Sequence, residues 1–345
     1  MLKAGIMGST GYTGAELVRL LVDHPEVELT FVDSRSYEGM PLSDVYPNLR
    51  KKVDLICRSV EVEDVPLDTD VVFCALPHRV SQQKVLPLIK AGFRVVDFSA
   101  DFRIHNGETY EKWYQTEHMD HSALDKAVYG LPEWHADSIG NANLVANPGC
   151  FPTSILLPLL PIIKEKIVDS EIIIIDSKTG VSGAGRNPSA VNVFSQVNEN
   201  VKAYNIGGHR HTPEIEQEIS LAAEKSLNVL FTPHLVPMDR GILSTIVLPG
   251  KELTRKEIEE CYKHYYGDKT FIRILEEGIL PETKAVRGSN YCDIGFVLEP
   301  RSGFLVIVSA IDNLLKGSSS QAVQNMNLMF NLEESAGIQA AAMWP

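Results

Sequence analysis

Apolar and polar positions along the first hundred residues recur in one order: a short apolar run, a turn, then a stretch with helical spacing. Residues 2–7 form the first run, and Gly8-Ser9-Thr10-Gly11-Tyr12-Thr13-Gly14 follows directly. Residues 15–22 then carry apolar side chains at helical spacing until Asp23-His24-Pro25 stops them. Residues 27–32, 71–76 and 94–98 read as further strands, and 81–90 as a helix interrupted by Pro87. Strands alternating with helices predict an α/β domain with a doubly wound parallel sheet of Rossmann type.

After residue 150 the rhythm changes. Strand patterns at 171–176, 229–232, 243–248, 292–298 and 304–311 are separated by fewer helices. They predict an α+β domain with a mixed, largely antiparallel sheet. Near the end, Ser318 and Gln321 have capping-box spacing, and Ala322, Val323, Met326, Met329 and Phe330 share one helical face. That face reads most simply as core packing, in a helix returning to the first domain. The expected division is 1–147 for the nucleotide, 148–312 for catalysis and oligomerisation, and 313–345 for the returning helix.

Composition narrows the function. A chain of 345 residues can fill two cores, and its 44% hydrophobic and 22% charged content is that of an ordinary globular protein. The net charge of −13 argues against a broad nucleic-acid or anionic-membrane surface, though not against a small anionic substrate. Five widely spaced cysteines without a CxxC pair fit a reducing cytoplasm. No basic-then-apolar leader opens the sequence, and the greasiest stretch, 155–163, is broken by Pro158 and Pro161 and too short to span a bilayer. The expected location is the cytoplasm.

The strand, glycine turn and helix at 2–22 form a dinucleotide site, in which Gly8, Ser9, Thr10, Gly11, Tyr12, Thr13 and Gly14 would cradle a pyrophosphate. The spacing is GxxGxxG rather than GxGxxG. At the end of the second strand Asp33 would favour NAD, whereas Ser34, Arg35 and Ser36 suit the 2′-phosphate of NADP. The reading here is NADP, with a solvated loop arginine as the plain alternative for Arg35. Leu76-Pro77-His78 and Ser99–Arg103 follow strands on the ligand-binding edge. Arg103 is either an anion clamp or the ion-pair partner of Asp101.

Chemistry centres on Cys150, in Ala146-Asn147-Pro148-Gly149-Cys150-Phe151-Pro152-Thr153, at a strand-to-helix turn. The start of a helix favours the thiolate, so Cys150 is a candidate nucleophile; the alternative is a buried structural cysteine. Residues 177–186 form a loop dense in small side chains, suited to close approach of a ligand. His209 and His211 precede a helix expected to be capped by Thr212 with Pro213 as its first residue. If extended, that segment would turn both imidazoles to one side. The pair is a metal site, a structural pair, or the source of the acid/base a cysteine needs. No third ligand is near in sequence, so no metal is expected.

These residues, in order, closely resemble the N-acetyl-γ-glutamyl-phosphate reductases, relatives of the aspartate-semialdehyde dehydrogenases. The resemblance runs nearly end to end, through GSTGYTGAEL at 8–17, SRS at 34–36, ALPH at 75–78, DFR at 101–103, YGLPE at 129–133 and NPGCFPT at 147–153. KTGVSGAGR at 178–186, GGHRHTPEI at 207–215 and DNLLKG at 312–317 complete it. It implies NADPH-dependent reduction of N-acetylglutamyl 5-phosphate to the 5-semialdehyde and phosphate, in arginine biosynthesis, through a Cys150 thioester. It further implies His209 or His211 as acid/base, Arg103 and Asn147 near the substrate, Leu76 and Pro77 on the cofactor, and Ser182, Gly183 and Asn313 near the nicotinamide. Related enzymes are homo-oligomers, so a dimer or tetramer is expected. Three other readings stay open: the same chemistry on aspartyl or aminoadipyl phosphate, a Tyr265/Lys269 short-chain reductase, and a nucleotide-sensing binding protein.

Overall fold

Six parallel strands organise the first half: β1 (Leu2–Met7), β2 (Val27–Val32), β3 (Val71–Cys74), β4 (Arg94–Asp97), β5 (Val128–Tyr129) and β6 (Leu144–Ala146). Their order is β2-β1-β3-β4-β6-β5. The computed structural model describes residues 1–168 and 172–344, so the first residue of the strand expected at 171–176 lies outside the described residues. The chain divides into two units, Met1–Pro148 with Ser318–Gln339, and Gly149–Gly317 with Ala340–Pro345.

In the first unit β3 is buried along its whole length, as expected of a central parallel strand covered on both faces. It ends at Cys74, two residues early: the Ala75 amide makes the last ladder bond, to the Met7 carbonyl, and Pro77 has no N–H to continue it. The first helix starts at Tyr12 rather than 15, with Gly11 as its cap, so the glycine loop itself contains the helix start.

The C-terminal helix, Ser319–Met329, differs from its sequence reading in two ways. Ser318 makes no side-chain cap; its hydroxyl lies 3.4 Å from that of Thr13, and the Ser319 hydroxyl donates to the Thr13 carbonyl at 2.9 Å. The helix is also buried on nearly every side, polar residues included. Several of those polar groups have partners within the unit: Asn325 donates to Gly130 O and Asn147 Oδ1, Gln324 to Glu133, and Asn327 pairs with the His24 ring.

The second unit carries β7 (Ile172–Thr179), β8 (Lys202–Ala203), β9 (Asn228–Leu235), β10 (Ile242–Pro249), β11 (Ile272–Ile274), β12 (Cys292–Glu299) and β13 (Phe304–Ile311). They form one sheet in the order β11-β12-β13-β10-β7-β9-β8. Among the described residues only β11 with β12 and β7 with β9 are parallel, so the sheet is mixed and largely antiparallel. One face packs on the Cys150–Lys164 helix, which also carries the Thr212–Ala223 and Arg255–Tyr266 helices.

The Cys150–Lys164 helix continues through Pro158 and Pro161, where a break was expected. Each proline removes the amide that would have satisfied the carbonyl four residues earlier. Ser309 Oγ donates to the freed Ser154 carbonyl at 2.5 Å, and Tyr266 OH to the freed Leu157 carbonyl at 2.5 Å. Side chains from β13 and a neighbouring helix thus replace the missing ladder bonds. No described helix is long and apolar enough to cross a membrane.

Candidate active site

The cofactor-side residues belong to the first unit. Gly8 sits at φ +80°, and a Cβ there would fall 2.4 Å from the Ala75 carbonyl oxygen, so only glycine fits. Leu76 lies against the same point. Thr10 Oγ1 and Ser34 Oγ are 2.7 Å apart, tying the glycine turn to the end of β2, and Tyr46 OH donates to the Thr10 carbonyl at 2.8 Å. Arg35 is exposed, with Glu61 at 3.2 Å as a surface partner shared with Lys84.

Asp33 has a different task from the one its position suggested. It is buried; its Oδ2 accepts from the Gly8 amide at 3.1 Å and its Oδ1 from the Val60 amide at 3.0 Å. One oxygen braces the glycine turn and the other the backbone at Val60. The exposed groups at the outer end of β2 are the Arg35 cation and the Ser36 hydroxyl, a donor set that fits a 2′-phosphate, while the buried Ser34 hydroxyl is tied to Thr10.

Arg103 is also buried, and donates through Nε to the Asn147 carbonyl at 2.7 Å and through Nη2 to the Phe98 carbonyl at 2.6 Å. The Asp101 carboxylate accepts from the Arg79 and Gln82 amides and from Tyr110 OH. Asn147 uses its amide to bridge the Ser318 carbonyl and Asn325. Beside this cluster Asp97 is fully buried, and burial followed by the Asp101 charge raises its pKa to about 6.

The reactive residues belong to the second unit. Cys150 is the first residue of its helix, only partly buried, whereas Cys57, Cys74, Cys261 and Cys292 are buried. The Gly149 amide just before it donates to Glu214 Oε1 at 2.8 Å, and Glu214 is wholly buried. Gly317 closes the other side: a Cβ there would lie 2.9 Å from Cys150 Cβ and 2.8 Å from the Asn313 carbonyl oxygen.

Phe151 gathers the imidazoles. Its ring lies edge-on to His209 at 5.4 Å and to His211 at 6.0 Å, and the two imidazoles are 5.0 Å apart. The segment is not extended as expected. The Thr212 amide closes a turn on the His209 carbonyl, and His211 has helical φ/ψ. The helix starts at Thr212, one residue early, with His211 in the capping position. His209 Nδ1 accepts from the His211 amide at 3.1 Å, so the neutral ring holds its proton on Nε2. Burial, and then Arg210, push the His209 pKa down to about 4. Tyr204 meets His209 edge-on at 5.6 Å, and burial followed by the Cys150 charge pushes its phenol up.

Ser182 and Gly183 form a short turn after β7. Asn313 Nδ2 donates to Ser182 Oγ at 3.0 Å, and its Oδ1 accepts from the Gly241 amide at 2.7 Å. Tyr265 bonds Glu165 on an exposed surface. Among the described residues no cluster of three His, Cys, Asp or Glu could hold a metal ion.

Comparison with known proteins agrees with this layout. Residues 3–142 match the family model described as semialdehyde dehydrogenase, NAD binding domain, and residues 150–313 that described as semialdehyde dehydrogenase, dimerisation domain. An N-acetyl-gamma-glutamyl-phosphate reductase of Alkaliphilus metalliredigens is 57% identical over the full length of both chains, and one of Citrifermentans bemidjiense 48% identical, again over both full lengths. The chain belongs to the N-acetyl-γ-glutamyl-phosphate reductase family. Its fold is that of aspartate semialdehyde dehydrogenase II from Vibrio cholerae, with a TM-score of 0.74 at 20% identity, covering 96% of this chain and 99% of that one.

Within that family frame, sequence reasoning missed Glu214, Tyr204, Phe151 and the bracing role of Asp33. Glu214 looks like an ordinary first-turn acid, and Phe151 like core. Only the fold shows the first holding Gly149 and the second carrying both histidines.

Proposed function

We propose that this protein reduces N-acetyl-L-glutamyl 5-phosphate to N-acetyl-L-glutamate 5-semialdehyde and phosphate, with NADPH, in arginine biosynthesis. Membership of the family supports the substrate. The observation that carries the chemistry is Cys150 at a helix start, braced by Glu214 through Gly149 and backed by Gly317. The Cys150 thiolate attacks the acyl carbon, the bond from that carbon to the phosphate oxygen breaks, and phosphate leaves a thioester. Bound NADPH supplies the hydride for the reduction step. The adduct left on Cys150, a thiohemiacetal once the imidazole acid/base has protonated its oxyanion, returns that proton to the imidazole as the carbon–sulfur bond breaks, releasing aldehyde and thiolate.

The two imidazoles divide the proton work. His209 is neutral with its proton on Nε2, a hydrogen-bond donor suited to the developing oxyanion and a poor base. His211 takes the Cys150 proton. Arg103 and Asn147 are assigned to the substrate side. Gly8, Ser9, Thr10, Gly11, Tyr12, Thr13 and Gly14, with Ser34, Arg35, Ser36, Leu76 and Pro77, are assigned to the cofactor. Ser182, Gly183 and Asn313 are assigned to the nicotinamide. The five widely spaced cysteines, none of them joined in a disulfide, support a reducing compartment, the cytoplasm.

A second copy of the chain is proposed to cover the open face of the second unit's sheet. Val297, Val306, Val247, Ile174 and Leu230 stand in register across five strands of that face, with Ile174 44% and Leu230 50% exposed. The functional test compares phosphate-dependent oxidation of N-acetylglutamate semialdehyde and aspartate semialdehyde. The acetylated substrate should have the higher kcat/KM; a preference for the aspartyl compound would overturn the substrate assignment.

A further inference from the structure

Asp312 has no part in the chemistry just described, yet its buried carboxylate gathers several donors in the second unit. It is wholly buried, and its carboxylate ties three segments together. The Arg240 Nε lies 2.9 Å from Oδ2 and 3.1 Å from Oδ1. The Gly288 amide donates to Oδ2 at 2.7 Å, and the Leu314 amide to Oδ1 at 2.9 Å. Its own carbonyl accepts from the Gly317 amide at 3.0 Å, which closes the turn that ends against Cys150.

Two consequences follow from that wiring. The turn is held so that Gly317 backbone sits on the Cβ of Cys150, with no room there for even a methyl group. Arg240 anchors the 238–241 segment, onto which the amides of Gly180, Val181 and Ser182 are stitched, and Asn313 clamps the same two segments through Gly241 and Ser182. A buried carboxylate that accepts this many donors has one low-energy arrangement of its partners, so it rigidifies what it holds.

We propose that Asp312 is the positioning residue of the reaction: through Arg240 and the 312–317 turn it fixes Gly317 against Cys150 and Asn313 against Ser182. It acts on the rate through these groups and touches no reactant. The inference rests on Cys150 being the nucleophile. Asparagine in its place keeps the volume but loses the charge facing Arg240, and points an N–H₂ at one of the amides that now donate. A displaced nucleophile or nicotinamide loop costs rate steeply, about 100-fold for a shift near 1 Å.

The test uses the full-length protein with Asp312→Asn, Arg240→Gln and the double variant. Three quantities are measured: kcat and KM for the semialdehyde, the pH profile of Cys150 alkylation by iodoacetamide, and the melting temperature. For Asp312→Asn we expect kcat to fall by about 10²-fold, with KM changed much less, and the alkylation profile to be displaced. Arg240→Gln should do the same, and the double variant no more than either alone, because the pair acts as one unit. An unchanged kcat, or a fall in kcat with a wild-type alkylation profile, overturns the proposal. If wild-type Cys150 is not alkylated with loss of activity, it is the nucleophile assignment that fails.

Discussion

Cys150 differs from the other four cysteines by where its backbone puts it. The others are buried in the cores of their units, whereas Cys150 opens a helix and is partly exposed. Cys150→Ser should reduce turnover to background while leaving the melting temperature nearly unchanged, checked by steady-state assay beside thermal unfolding. The histidines separate in a different experiment. His211→Gln should slow Cys150 alkylation at neutral pH, because the proton acceptor is gone. His209→Gln should leave alkylation near wild type and still lose turnover, because only the oxyanion donor is missing. Equal effects of both substitutions on alkylation would refute the division of labour. The candidate residues were legible in the sequence because cysteine, histidine and glycine carry distinctive chemistry. Their bracing was not, since Glu214, Asp33 and Asp312 look like ordinary acids until the fold shows their carboxylates filled by backbone amides.

At the scale of elements, the Cys150–Lys164 helix shows how a long-range contact overrides a local rule. Two internal prolines predict a break, and locally that expectation is sound. The helix continues because Ser309 and Tyr266, more than a hundred residues away, supply donors to the two orphaned carbonyls. Ser309→Ala should therefore destabilise the protein by about 1–3 kcal/mol, the cost of a buried unsatisfied carbonyl, read from chemical denaturation. No change in stability would mean that the Ser154 carbonyl finds another partner. The longer strands were legible from their apolar runs, whereas β5, β8 and β11, two or three residues each, are too short to leave a pattern. Boundaries shifted by one to three residues, as at Tyr12, Cys74 and Thr212. The C-terminal helix was legible as core, but its buried polar faces were not, because their partners lie at Gly130, Glu133, Asn147 and His24.

For the whole molecule, two buried groups give opposite pH slopes over nearly the same range. Asp97, raised to about 6, binds its proton more tightly in the folded state, so its contribution falls as pH rises from the ordinary carboxylate range towards 6. His209, lowered to about 4, contributes stability that is present above the ordinary histidine range and lost as pH falls towards 4. Melting curves across pH 4–7 should therefore rise more steeply with pH for Asp97→Asn than for wild type, and less steeply for His209→Gln. Parallel curves for all three proteins would contradict both assignments. Assembly has its own check: Ile174→Asp with Leu230→Asp should shift the sedimentation coefficient to that of a monomer. A wild-type protein that already sediments as a monomer would contradict the covered sheet face. The sheet itself was legible in the sequence, but that one face is left open follows only from the strand register.

The central claim is the covalent step on Cys150. It is tested most directly by mixing the enzyme with N-acetylglutamyl 5-phosphate in the absence of NADPH, quenching in acid, and mapping the adduct by peptide mass spectrometry. The account predicts an N-acetylglutamyl thioester on the Cys150 peptide, which is discharged when NADPH is added before the quench and is missing from Cys150→Ser. An unmodified Cys150 peptide from an enzyme that turns over the same substrate would contradict it.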